Sequence, residues 1–146
     1  MRVEYHLRAA VIGLGVGEKH IAGYQSDQRC HVNMLCDTSR SKLSEVGSRH
    51  PDCSLTTQPE DILTNPDIDV VSIASYDNYH RDQIVLALQH GKHVFVEKPL
   101  ALSMGEIDDI EEAYDNQARK LQVMVGYNRR FAPHEGRYLR RGYCVQ

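Results

Sequence analysis

No apolar run in this chain approaches the roughly 20 residues needed to cross a membrane. Positive charge is not in excess either. With 17 lysines and arginines against 20 aspartates and glutamates, the net charge of -3 argues against general nucleic-acid binding, which requires a basic face. Cysteine is sparse and unpatterned: Cys30, Cys36, Cys53 and Cys144 contain no C-x-x-C pair, and two of them flank or sit in a candidate buried strand. Reduced thiols in a reducing, cytoplasmic setting are therefore expected rather than disulfides. The opening Met1-Arg2-Val3-Glu4-Tyr5-His6 is too polar to read as a secretory leader. Internal repeats and low-complexity tracts are missing as well. What is present, 146 residues that are 41% apolar and 25% charged, suits one domain with a core large enough to fold alone.

Apolar runs of strand length alternate with longer amphipathic segments, the pattern of repeated βα units around a parallel sheet. Strands are predicted near 8–13, 31–36, 53–56, 69–74, 93–96 and 122–126, giving an α/β, doubly wound Rossmann-type fold of three αβα layers and six strands. Ile84, Val85, Ala87 and Leu88 mark a helix ended by Gly91, and Ser103 with Glu106 has the spacing of a capping box. Pro59 suits the first turn of a short helix. After Gly126 the composition changes. Arg129, Arg130, Arg137, Arg140 and Arg141 against Glu135 give the tail a local charge of +4, and residues 134–141 are predicted to form a basic helix. The expected division is a dinucleotide-binding domain over 1–126 and a tail, 127–146, that begins a further domain.

Ala9-Ala10-Val11-Ile12 runs directly into Gly13-Leu14-Gly15-Val16-Gly17, followed by a helix with Ile21 and Tyr24 on one face. Strand, glycine turn and helix form a phosphate-binding context: Gly13 permits the turn, and Gly15 lets the backbone approach a pyrophosphate at the positive helix end. The third glycine of G-x-G-x-x-G belongs at 18, where this chain has Glu18, with Gly17 one place early. The spacing also suits an S-adenosylmethionine-binding methyltransferase, or a plain tight turn, and the glycines alone do not choose among these.

Asp37 ends the second strand, where a carboxylate would accept hydrogen bonds from an adenosine ribose and repel a 2'-phosphate, favouring NAD over NADP. Ser39 and Arg40 stand next to it and could instead hold that phosphate. Asp37 or Thr38 could also simply cap the following turn or helix.

The most informative segment is Gly91-Lys92-His93-Val94-Phe95-Val96-Glu97-Lys98-Pro99-Leu100, in which an apolar strand ends in a carboxylate, an ammonium and a proline at the sheet edge where open α/β folds keep their ligands. Together with the glycine turn, Asp37, Ile73-Ala74-Ser75, Asn78-Tyr79-His80 and Gly91-Lys92-His93, this segment resembles the cofactor domain of the glucose-fructose oxidoreductase / inositol dehydrogenase (Gfo/Idh/MocA) family. Glu97-Lys98-Pro99 is the specific mark, and methyltransferases have no reason to share it.

The resemblance implies an NAD(P)-dependent oxidoreductase acting on a sugar, cyclitol or related polyol. It puts Lys98 beside the nicotinamide and the substrate hydroxyl, where an ammonium can orient the hydroxyl, stabilise negative charge on oxygen or share in proton transfer. Glu97 is expected to position Lys98, and Pro99 to stiffen the turn. Ser75-Tyr76-Asp77-Asn78-Tyr79-His80 replaces the family's Thr-Pro-Asn-x-x-His. There Ser75, Asn78 and His80 are candidate contacts to the nicotinamide half, with the alternative that Asp77 is a helix cap and His80 a core histidine. His90 and His93 lack a carboxylate or cysteine to complete a metal set. Arg130 matches a family arginine near the substrate.

Enzymes of this family carry a second α/β domain that supplies most of the substrate pocket, together with the Asp and His credited with substrate positioning and base catalysis. The expectation is thus a cofactor domain poorly active alone, exposing apolar surface that favours self-association or a complementing domain. The alternative is a non-catalytic dinucleotide-binding or interaction module that uses the arginine-rich tail for docking.

Overall fold

A computed structural model of the chain describes residues 6–131. Alternate residues of β1 (Leu7–Ile12) point to opposite faces, and all four of Ala9, Ala10, Val11 and Ile12 are buried, as they must be in a sheet covered on both sides. β1 is flanked by β2 (Cys30–Cys36) and β4 (Val70–Ile73), and the sheet is completed by β3 (Ser54–Thr56), β5 (His93–Glu97) and β6 (Val123–Gly126). All pairings are parallel, in the order β3-β2-β1-β4-β5-β6. Each expected strand is found, with its ends displaced by one residue at most.

The helices α1 (Glu18–Gln25), α2 (Arg40–Gly47), α3 (Glu60–Leu63), α4 (His80–Gln89) and α5 (Met104–Asp115) form the outer layers. Ile21 of α1 and Leu43 and Val46 of α2 pack on Ala9, Val11, Val32 and Leu35. The opposite face, carrying Ala10, Ile12, Val71, Ile73, Val94 and Val96, is covered by Ile62, Ile84, Leu88 and Ile110 from α3, α4 and α5.

Local signals account for the ends of these elements. Gly91, at φ +69°, closes α4 through Gly91 N–H to Leu88 O (2.8 Å) and Lys92 N–H to Ala87 O (3.0 Å), a Schellman arrangement. Ser103 Oγ accepts from Glu106 N, while the Glu106 carboxylate reaches back to Leu102 N (2.7 Å), one residue earlier than the simple capping box requires. Pro59 is the helically disposed N-cap of α3. Among the described residues no helix is long and apolar enough to cross a membrane.

Candidate functional site

The strand order reverses between β1 and β4, so their C-terminal ends diverge and open a crevice. Gly13 follows β1 with φ +86°, and a Cβ there would lie 2.3 Å from Ala74 O and 2.8 Å from Ser75 N. The turn is tied to both neighbouring strands: Gly13 N donates to Cys36 O (2.8 Å) and Ala74 N to Ile12 O (2.8 Å). Gly17 explains the early third glycine, since a Cβ on it would lie 2.1 Å from Gly13 O and 2.9 Å from Val11 Cγ1. It thus packs the start of α1 onto the turn. Glu18, in the place of the usual glycine, is paired with Lys42 of α2 (3.6 Å) and with Arg49 just beyond that helix, whose guanidinium holds the Glu18 carboxyl below its ordinary pKa.

Around Gly15 the surroundings differ. A Cβ there meets nothing within 4 Å, and the backbone amides of Gly15 and Val16 have no partner among the described residues. With the N-terminus of α1 behind it and no side-chain cap on Gly17, the turn presents open donors in a positive field, which fits a pyrophosphate. Val16 is exposed; Leu14 buries its side chain in the core and gives its amide to Asp37.

Asp37 is fixed by two backbone donors, Leu14 N to Oδ2 and Ser39 N to Oδ1, both at 2.8 Å. Asp37 thus caps the turn that follows β2, as one reading of the sequence allowed, while the cap of α2 itself is Ser39, whose Oγ accepts from Lys42 N (3.3 Å). Arg40 is exposed on the first residue of α2.

On the other side of the crevice, Ser75 Oγ donates to Gln83 Oε1 (2.7 Å), and Asp77–Tyr79 form a 3-10 turn with Asn78 exposed. Asp77 does not cap α4: Tyr79 precedes the helix and no side chain caps it. His80 is fully buried, its Nδ1 2.7 Å from Pro99 O and its Nε2 3.1 Å from Ser75 O, as the core-histidine alternative requires.

Lys98 is exposed beyond β5 and has no hydrogen-bond or ion-pair partner among the described residues; the Lys98–Pro99 peptide is cis. Glu97, expected to position Lys98, makes no direct side-chain contact with it. Its Oε1 instead meets His20 Nε2 at 3.0 Å, because Glu97 turns to the sheet face covered by α1.

Two residues escaped the sequence reading. His20 belongs with Gly17, Ile21 and Tyr24 to the inward stripe of α1, and a polar residue on that stripe was the available signal. Lys92, 1% exposed, donates to the carbonyls of Asn65 and Ile68, and burial lowers its pKa. Burial also pushes the Cys36 thiol up to about 12, and Cys30, Cys36 and Cys53 are free. Among the described residues no three histidine, cysteine or carboxylate side chains gather as a metal set. Arg130 lies in the 3-10 turn Asn128–Phe131, but its side chain, the predicted basic helix and Cys144 fall outside the described residues.

Residues 7–127 match the family described as an oxidoreductase family with an NAD-binding Rossmann fold. Inositol 2-dehydrogenase of Rhodococcus jostii (strain RHA1) is 32% identical over 127 residues, which are 86% of this chain and 34% of that protein. Scyllo-inositol dehydrogenase from Lactobacillus casei, solved with bound NAD(H) and scyllo-inositol, superposes with a TM-score of 0.80 at 27% identity, over 92% of this chain and 39% of that one. Biliverdin reductase from Synechocystis sp. PCC 6803, solved with biliverdin and NADP+, shares the fold at a TM-score of 0.74 and 23% identity, over 80% and 37% of the two chains. The chain therefore spans a little over a third of the length of the proteins it resembles.

Proposed function

The chain belongs to the Gfo/Idh/MocA oxidoreductase family through its NAD-binding Rossmann fold, and we propose that it is the cofactor half of a dehydrogenase acting on a polyol such as an inositol. The observation that carries this reading is the placement of Glu97-Lys98-Pro99 at the end of β5, on the same sheet edge as the open glycine turn after β1. In this reading Gly13, Leu14, Gly15, Val16 and Gly17 form the pyrophosphate cradle, Asp37 takes the adenosine ribose, and Ser75 and Asn78 border the nicotinamide half. His80 and Glu97 support that half from behind.

When bound, the nicotinamide supplies the hydride acceptor. The Lys98 ammonium, free of competing ion pairs among the described residues, orients the substrate hydroxyl and stabilises charge on its oxygen, with Arg130 on the substrate side. NAD is the preferred cofactor because the fixed Asp37 carboxylate faces two hydroxyls well and a phosphate badly, while Ser39 is occupied as a helix cap. Residues 1–126 form the dinucleotide unit and 127–146 lead toward a substrate domain. That domain, or a second copy, covers exposed Met124 and Tyr127. The free, high-pKa thiols suit a cytoplasmic setting.

Calorimetric titration with NAD, NADP and S-adenosylmethionine tests this. Binding of NAD more tightly than NADP, with no response to S-adenosylmethionine, is the expected result; no response to either dinucleotide would sink the reading.

A further inference from the structure

We infer that His20 is a positioning residue for the Lys98 turn, acting through Glu97. Its imidazole leaves α1 and lies across two strands: Nδ1 is 2.8 Å from Ser72 Oγ on β4, and Nε2 is 3.0 Å from Glu97 Oε1 on β5. Ser72 and Phe95 are register partners, and the ring stands edge-on to Phe95, with centroids 5.1 Å apart and planes at 82°. Hydrogen bonds at both nitrogens and an aromatic wall leave the ring one orientation.

Glu97 is equally confined. Its side chain is 17% exposed, and His20 is its only side-chain partner among the described residues. Glu97 pairs in register with Gly126, where a Cβ would lie 3.4 Å from each carboxylate oxygen and 3.2 Å from Phe95 Cζ. A side chain there would crowd the Phe95 ring and touch the carboxylate, so Gly126 lets both lie close against β6. A carboxylate this enclosed needs a donor, and His20 Nε2–H provides it.

Lys98 has no such anchor, so its place is set by the backbone on either side. On one side is Glu97, held by His20 from the α1 layer. On the other is Pro99, whose carbonyl contacts His80 from the α4 layer. The turn that carries the proposed catalytic ammonium is thereby clamped from both faces of the sheet. The contacts lie at the ends of β4 and β5, away from Asp37 and the adenosine half, so loss of His20 loosens the nicotinamide half alone.

The inference rests on the dehydrogenase reading, and its test uses the whole 146-residue chain. Titration with NAD and with ADP-ribose, which lacks the nicotinamide, separates positioning from general damage. His20→Ala is expected to weaken NAD by roughly 10-fold while ADP-ribose stays within about twofold, and His20→Gln, whose amide nitrogen can reach Glu97, to restore NAD to within about threefold. Equal weakening of both ligands, or unchanged NAD affinity, would overturn the inference. If His20→Ala does not fold, His20→Asn, too short to reach Glu97, replaces it. A second arm needs no cofactor: the amide NMR signals of Lys98 and Gly126 in the free chain should move in the truncated variant and return in His20→Gln. Should the wild type bind neither dinucleotide, the dehydrogenase reading fails, and this spectrum alone decides whether His20 holds the turn; unmoved signals reject it.

Discussion

The carbonyl oxygen of Ala74 lies where a side chain on Gly13 would begin: a Cβ built there comes within 2.3 Å of it. The two residues leave adjacent parallel strands at the point where the sheet's winding reverses, and their contact sets the floor of the cofactor crevice. Gly15, two residues on, has nothing within 4 Å of its own Cβ position. The fold needs the first glycine, and in the proposed reading the ligand needs the second.

Gly13→Ala and Gly15→Ala should therefore fail differently. The first forces a side chain at φ +86° into backbone, and should cost at least about 2 kcal/mol, a melting-temperature loss of roughly 5–10 °C. The second should leave the melting temperature within about 2 °C, yet weaken NAD by roughly 10-fold or more because its methyl enters the pyrophosphate space. Thermal melts and calorimetry on both variants check this, and a stable Gly13→Ala protein would contradict it.

Asp37 ties the end of β2 to the glycine turn, its Oδ2 accepting from Leu14 N and its Oδ1 from Ser39 N, and in the proposed reading it also selects the cofactor. Asp37→Ser should weaken NAD by about 10-fold and NADP less, narrowing the preference, since a ribose acceptor and a repulsive charge leave together. It should also lower stability by roughly 1 kcal/mol through the two amides left unpaired. Competition between the two dinucleotides, measured alongside urea melts, reads both effects.

The fold was legible because its signals are local and redundant. Apolar runs covered on both faces mark the strands, and Gly91, Ser103 and Pro59 punctuate helices within a few residues of themselves. The glycine turn and the end of β5 were legible for the same reason. The partner of Glu97 was not: strand alternation turns its side chain away from Lys98, and the partner is 77 residues away on another layer. Lys92 was missed because nothing along the chain announces that the carbonyls of Asn65 and Ile68 converge on it. The same limit applied to Ser39, whose capping bond depends on where α2 begins.

At the opposite end of the sheet, Asp69 receives Arg8 N (2.9 Å), Nε (3.0 Å) and Nη2 (3.0 Å), and the guanidinium holds its carboxyl below the usual range. A depressed folded-state pKa means that the unfolded chain takes up the proton first. The stabilisation is complete above the ordinary value of about 4 and is lost as pH falls through the lower folded value. Asp69→Asn should therefore be less stable than the wild type at about pH 6, and the gap should close below about pH 4, where the wild type loses what the variant never had. Urea midpoints at the two pH values measure the gap. Both side chains are partly exposed, so the effect should be small and should shrink further in high salt.

Lys98 allows binding and chemistry to be separated. Because it is exposed and unpaired among the described residues, Lys98→Met removes no contact that supports the fold or the glycine turn. Melting temperature should be unchanged, and NAD affinity should stay within about threefold. In a fusion of this chain to the C-terminal domain of an inositol dehydrogenase, the same substitution should lower polyol oxidation by roughly 10²–10⁴-fold, the usual range for losing a positioned acid–base or charge-stabilising group. The loss should appear in kcat more than in KM if the ammonium acts on the developing alkoxide, since that charge exists only near the transition state. A fall in KM-linked binding with kcat intact would instead make Lys98 a substrate anchor. Should activity survive with both parameters unchanged, the chemistry would have to be moved away from the end of β5, because Lys98 is the residue there with no other partner to serve.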